Sequence, residues 1–387
     1  MSEFQYYEWL ALDRPLTSAQ LAEVKELSSH MDRVTRTSAC VSYSYGDFKH
    51  DPLDVLARNF DVFFYHSNWG TKTLAFRFSS NTFLSNTFTS KDIDPYLIEG
   101  CVKLDRRGDF WILSFTLEND GDDAWIDPEN ETDSAASIAG VRRQITQGDY
   151  RALYLMWIAK VGQYRQSYSK HDDFDIFDIE EDIGEAPPLP AGLQDLDAAL
   201  NEFCNFFAID KNMIAVAAQQ SAQVRDPSQA EIRAAIASLP RNECDDFLLR
   251  LLDDGTPLSD ELRQRLALAS DSLQTTSKSV AQLMQDAHEL EANARHEAKA
   301  HAHAVRIAAF EDLAKREARV WQAIDELVAQ KKSSSYDEAA RMLSELHELA
   351  MHRSTLTVFK FRVNELIERS GKSRALINRL KKKSIEF

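Results

Sequence analysis

Glycine and proline are missing where their absence says most. Between Pro257 and Gly371 neither occurs over 113 positions (258–370). These two residues are the strongest breakers of local structure. Their absence excludes a strand-and-turn architecture there and predicts helix. Glycine is scarce overall, 12 in 387 residues, and no G-x-G-x-x-G, P-loop, H-E-x-x-H or G-x-S-x-G pattern occurs. The phosphate-cradling loops, zinc helices and nucleophile elbows built on those patterns are not expected. No run of about 18 apolar residues is present, so no membrane-spanning helix is expected. The opening MSEFQYYEWLALDRPL has neither a basic leader nor an apolar core segment, so no secretory signal is expected. The four cysteines, Cys40, Cys101, Cys204 and Cys244, are far apart and form no C-x-x-C. That fits free thiols in a reducing cytoplasm, with no metal and no cofactor.

What is present is a chain able to bury a core. The composition is 44% apolar and 28% charged. The length implies two or three domains. The net charge of −17 is unevenly spread. Residues 1–190 carry 32 Asp and Glu against 18 Lys and Arg, whereas residues 352–387 carry three acids against ten bases. An acidic body with a basic tail repels polyanions over most of its surface and attracts them at one end.

The fold class expected is an α+β N-terminal domain followed by an all-α region with a long helix and a C-terminal helical hairpin. Residues 1–167 read as the α+β domain. The segment 4–12 is aromatic and strand-prone, and residues 17–20 resemble a capping box opening a helix to Leu27. Residues 39–45 read as a strand with Val41, Tyr43 and Tyr45 on one face. Asp51 and Pro52 open a short helix. Two hairpins are expected, 61–79 turning at Gly70 and 101–117 turning at Gly108. Helices follow over about 133–147 and 150–166, the second apolar nearly all round and so buried.

Residues 168–192 carry eight acids between Asp172 and Glu185, then Pro187, Pro188 and Pro190. That composition predicts an acidic linker. The interleaved Phe174, Ile176, Phe177, Ile179 and Ile183 leave open a partner-binding peptide. Residues 193–269 read as a small helical module, with Asp210 and Ser228 as helix starts.

The long helix is expected over 270–332. Its small and apolar positions, Val280, Leu283, Ala287, Leu290, Ala294, Ala298, Ala302, Val305, Ala309 and Leu313, recur about every 3.67 residues, close to an eleven-residue repeat. Leu283, Leu290, Val305 and Leu313 are the candidate protein-interaction positions. The Ala-rich seam admits a second helix closely, including a second copy of the chain. Residues 333–387 read as a hairpin with a basic last helix. There Ser335 to Glu338 resemble a capping box, and Val358, Phe359, Phe361, Val363, Leu366 and Ile367 form an apolar stripe.

Candidate chemistry is sparse. His288, His296, His301 and His303 lack the three- or four-residue spacing of a helical metal site, and read as exposed or as a charge that changes near neutrality. Asp92-x-Asp94, Asp173-x-Asp175 and Asp195-x-Asp197 have the form of weak divalent-cation ligands. The basic end, Lys372, Arg374, Arg379, Lys381, Lys382 and Lys383, would give salt-dependent contacts to phosphates. The same cations also suit a helix C-terminus. Arg106, Arg107, Arg142 and Arg143 read as ion-pair donors, and the aromatics of residues 6–9, 43–45 and 63–65 as core.

The segments FQYYEWLALDRPLT, GDFKHDP and NWGT resemble a bacterial protein family without an assigned activity. ASLPRNECDDFLLRLL and YDEAARMLSEL are similar to segments of bacterial proteins bearing a SWIM zinc finger. The Cys/His motif of that finger does not occur, so the resemblance implies no zinc site and no catalytic residue. It implies a bacterial cytoplasmic protein, with some association with nucleic-acid-related complexes.

These readings converge on a non-enzymatic scaffold that presents a helical arm to a protein partner, away from membranes. Two alternatives stay open: a nucleic-acid-associated protein acting through its basic C-terminus, and an enzyme with an unrecognised site in the N-terminal domain.

Overall fold

A computed structural model describes residues 3–79, 93–118, 135–168, 185–223, 228–251, 277–383, 385 and 387. The chain divides into two compact units, Met1–Glu291 and Ala292–Phe387. The architecture is a seven-stranded antiparallel sheet domain followed by an all-helical region.

The sheet contains β1 (Phe4–Leu10), β2 (Met31–Val34), β3 (Ser38–Ser44), β4 (Val62–Ser67), β5 (Lys72–Ser79), β6 (Val102–Arg107) and β7 (Phe110–Leu117). Their order is β2-β3-β1-β4-β5-β7-β6. Alternation along β1 sends Tyr7 and Trp9 to one face and Tyr6, Glu8 and Leu10 to the other. Tyr7 stands opposite Val41 on one side and Tyr65 on the other.

Helices α1 (Ser18–Glu26) and α2 (Pro52–Asn59) cover the Tyr7–Trp9 face. The capping box at Thr17 forms as expected: Gln20 N donates to Thr17 Oγ1 at 3.3 Å, and Thr17 N to Gln20 Oε1 at 3.1 Å. Asp51 caps α2 by accepting from Leu53 N at 2.8 Å, with Pro52 in the first turn. Trp9 is fully buried and donates its indole N–H to Pro52 O at 3.1 Å, which ties α2 to β1.

The opposite face carries α3 (Ala135–Ile138), α4 (Gly140–Thr146), α5 (Arg151–Tyr168), α6 (Ala198–Phe206), α7 (Lys211–Gln220) and the first turns of α10 (Val280–Lys315). Leu153 to Ile158 of α5 are all buried, so an unbroken apolar run is a helix interior here. Helices α8 (Gln229–Ser238) and α9 (Arg241–Leu251) complete the described part of this unit. Ser228 and Glu231 form a reciprocal cap on α8.

The second unit contains the rest of α10 with α11 (Glu317–Ala329), α12 (Ser333–His352), α13 (Leu356–Arg369) and α14 (Arg374–Lys382). Trp321, Ile324, Val328, Leu343, Leu346, Phe359, Val363, Leu366, Leu376 and Leu380 form its core. Gly371, with φ +71°, ends α13 and starts the turn to α14.

Several expectations are corrected. Within the small helical module expected over 193–269, residues 193–217 pack into the core of the sheet domain. Phe206 lies 4.4 Å, centroid to centroid, from Phe64, and Phe203 lies 5.4 Å from Phe115, so α6 and α7 close the sheet's own core. The helix expected over 133–147 is broken at Ala139. A Cβ on Gly140 would stand 3.0 Å from Ala199 Cβ, so glycine permits the close approach of α6. Strand β2 is an added edge strand whose charged, half-exposed sequence carries no alternation. Tyr45 lies beyond β3 with φ +66° and is 74% exposed, not on the face of Val41.

The long helix stops at Lys315. Arg316 (φ −109°, ψ 10°) separates it from α11, so the single helix expected to reach 332 is two. Helix α12 starts at Ser333, and Ser335 is buried inside it, donating to Gln330 Oε1 at 2.8 Å. The capping box expected at Ser335 therefore does not form. Val358 and Phe361 are 68% and 67% exposed, outside the stripe assigned to them. The expected linker lies mostly outside the described residues, as do residues 252–276, which include the expected start of the long helix.

Candidate functional site

Buried charged groups of the first unit are tied into the fold. Asp61 is 1% exposed, and its Oδ2 accepts Leu12 N at 2.7 Å and Asp13 N at 2.9 Å. Its Oδ1 accepts Arg77 Nη2 at 2.7 Å, while Arg77 Nη1 donates to Ala57 O at 3.0 Å. Burial alone would raise the Asp61 pKa; the Arg142 and Arg77 guanidiniums outweigh it and hold the carboxyl below its ordinary range. Glu8 accepts Arg33 Nη2 at 3.1 Å and Ala135 N at 2.9 Å. Arg142 forks onto Asp13 at 2.8 and 2.7 Å, and Arg107 bridges Asp51 and Asp54. Arg106 lies over Trp111 at 6.0 Å. These arrangements fasten strands and loops together.

The buried thiols are equally quiet. Burial pushes Cys101 and Cys204 up to about 12, so they stay protonated and weakly nucleophilic at neutral pH. Among the described residues no group of three or more His, Cys, Asp and Glu is placed to hold a metal ion. Asp197 caps α6, accepting from Leu200 N at 3.0 Å. Asp94 starts a short 3-10 turn, while Asp92, Asp173 and Asp175 lie outside the described residues. His288, His296, His301 and His303 are all exposed on α10. No described helix is long and apolar enough to cross a membrane.

Helix α10 presents the clearest candidate surface. Leu283 and Ala287 are buried in the first unit's core and Leu290 packs at its edge. Leu313 is 6% exposed in the second unit's core. Between these anchors every residue from 292 to 306 is exposed, and Val305 is 55% exposed. The candidate seam is thus occupied at Leu283, Leu290 and Leu313 and open at Val305. No buried stripe holds this stretch helical. Alanine does, at 292, 294, 298, 300, 302 and 304, because it has the highest intrinsic helix propensity.

A second candidate is the basic end. Leu376 and Leu380 bury one side of α14, leaving Arg374, Lys381, Lys382 and Lys383 exposed. Lys372 pairs with Glu368 at 3.2 Å. Arg379 is engaged by Asp337: Nε reaches Oδ1 at 2.5 Å, and Nη2 also donates to Ser333 Oγ at 2.7 Å. Sequence reasoning missed Lys331 and Lys332, exposed and directly before Ser333, the residue that accepts from Arg379 of α14. Only the packing of α14 on α12 shows this, and no local pattern signals it.

Comparison of the chain with protein-family models, with curated proteins and with solved structures finds no match.

Proposed function

We propose that the protein is a non-enzymatic, cytoplasmic interaction scaffold that offers the exposed part of α10 to a partner helix. The observation that carries this reading is the uninterrupted exposure of residues 292–306 within a formed helix. A helix without a buried stripe has its whole circumference available to a partner. The small residues Ala294, Ala298 and Ala302 lie along one side and admit a second backbone closely. Because alanine buries little apolar area, such a contact is weak per turn and needs several turns.

The test is photo-crosslinking in the native host from positions 298 and 302, with Leu283 as the buried control. A defined adduct from the two exposed positions only, whose purified complex weakens at least ~10-fold on A298R/A302R, is expected, a loss of about 1.4 kcal/mol. Absence of an adduct specific to those positions, or a complex indifferent to the substitutions, overturns the reading. Sedimentation of the purified chain separates a second copy from a different partner.

A further inference from the structure

The second unit is cationic: residues 292–387 hold 19 Lys and Arg against 13 Asp and Glu. The excess is concentrated where two segments distant in sequence meet. Arg379 of α14 donates to both Ser333 Oγ and Ser333 O, at 2.7 and 3.4 Å. Ser333 directly follows Lys331 and Lys332, and both lysines are exposed. Lys382 lies one turn beyond Arg379 on α14, close enough to Asp337 to help hold that carboxyl below its ordinary range, after the dominant hydrogen bond from Arg379. Lys381 and Lys383 flank it.

We infer that Lys331, Lys332, Lys381, Lys382 and Lys383 form one surface that binds the phosphate backbone of duplex nucleic acid without reading its sequence. The reading is independent of the exposed part of α10.

The chemistry of the exposed groups selects this partner. Arg379, whose planar fork would suit a carboxylate on an acidic protein, is already spent on Asp337. Arg374 is exposed at the start of α14; what remains outward around the Arg379–Ser333 contact are lysines, point charges suited to closely spaced phosphates. A membrane-surface site combines cations with an apolar wedge. The large exposed apolar residues of this unit are Val305, Met351, Val358 and Phe361, none of them in the Lys331–Lys332 turn or in α14. Among the described residues no exposed aromatic accompanies the lysines, so base stacking on single strands is not expected.

The experiment is fluorescence anisotropy of the full chain against two ~20-base-pair duplexes of unrelated sequence, between about 50 and 200 mM salt. Equal affinity for both is expected, with log K falling against log salt at a slope of about −3 to −4.5. K331E/K332E weakens binding at least ~10-fold and flattens the slope by roughly two. D337N removes a carboxylate placed within the patch and tightens binding several-fold, which keeps the test decisive should the double variant fold poorly. K299E, outside the patch, changes affinity little. No salt-dependent duplex binding, or binding unmoved by K331E/K332E and D337N, overturns the inference. So does attachment to anionic vesicles without duplex binding.

Discussion

Asp61 and Arg77 hold each other at 2.7 Å in the interior of the sheet domain, their side chains 1% and 7% exposed. The pair joins the end of α2, the β4 entry and the segment after β1, because Asp61 also takes the Leu12 and Asp13 amides and Arg77 the Ala57 carbonyl.

Arg77→Met leaves the buried Asp61 with the more distant Arg142 guanidinium, 3.8 Å away, and should destabilise the first unit by about 3 kcal/mol. Asp61→Leu should cost more, since two backbone N–H groups lose their acceptor as well. Urea titration followed by tryptophan fluorescence reads both, and equal or negligible losses would contradict the assigned roles.

The same pair sets an acid limit. Asp61 titrates below its ordinary value in the fold and at about 3.9 in the unfolded chain. Its contribution is therefore complete above that ordinary value and declines as pH falls from there through the folded pKa. Stability measured downward from pH 5 should fall in the native chain. The fall should be shallower in Asp61→Asn, which has no carboxyl to protonate there.

Local features of this fold were legible where a single short-range rule decides them. Thr17–Gln20, Asp51–Pro52 and Ser228 carry their caps in adjacent letters, and β4 and β5 carry theirs in apolar runs bounded by Gly70. Legibility failed where distant packing decides. Nothing before Arg316 announces the break after α10, because no glycine or proline marks it. Ser335 has the right letters around it, but the turn at Lys331, with φ +51°, starts α12 earlier and turns that serine inward. The basic surface was half visible: α14 shows its lysines in sequence, whereas Lys331 and Lys332 join them only through the Arg379–Ser333 contact.

The cysteines should react in a fixed order. Cys244 is half-buried, whereas Cys40, Cys101 and Cys204 are buried, and burial raises the thiol pKa at all three. With an aromatic disulfide reagent at pH 8, one thiol should react promptly in the native chain and four in denaturant. Cys244→Ser should abolish the prompt phase, and a prompt phase that survives it would contradict the burial assigned here.

Residues 292–306 are helical without a buried side chain, with Arg306 held only at the surface by Glu348 at 3.1 Å, so their amides should open locally. Hydrogen exchange should find them less protected than the amides of α12, where Leu343 and Leu346 are buried. Ala298→Gly and Ala302→Gly should lower protection further, each costing the helix roughly 1 kcal/mol. Protection equal to that of α12 would mean that a second surface already covers this stretch in solution.

Helix α13 allows a sharp contrast between residues of similar sequence appearance. Val358, Phe359, Phe361 and Val363 crowd together as one apolar block, yet a helical turn distributes them to opposite sides. Val363 and Phe359 are 0% and 5% exposed, while Val358 and Phe361 are 68% and 67% exposed. Val363 contributes burial that truncation would remove, together with a cavity, so Val363→Ala should cost about 1–3 kcal/mol. Phe361 loses little apolar contact when shortened, so Phe361→Ser should stay within about 0.5 kcal/mol of the native chain. Thermal denaturation of the two variants separates a buried position from an exposed one on the same helix, and a large loss at Phe361 would show that this side of α13 is covered in the folded protein.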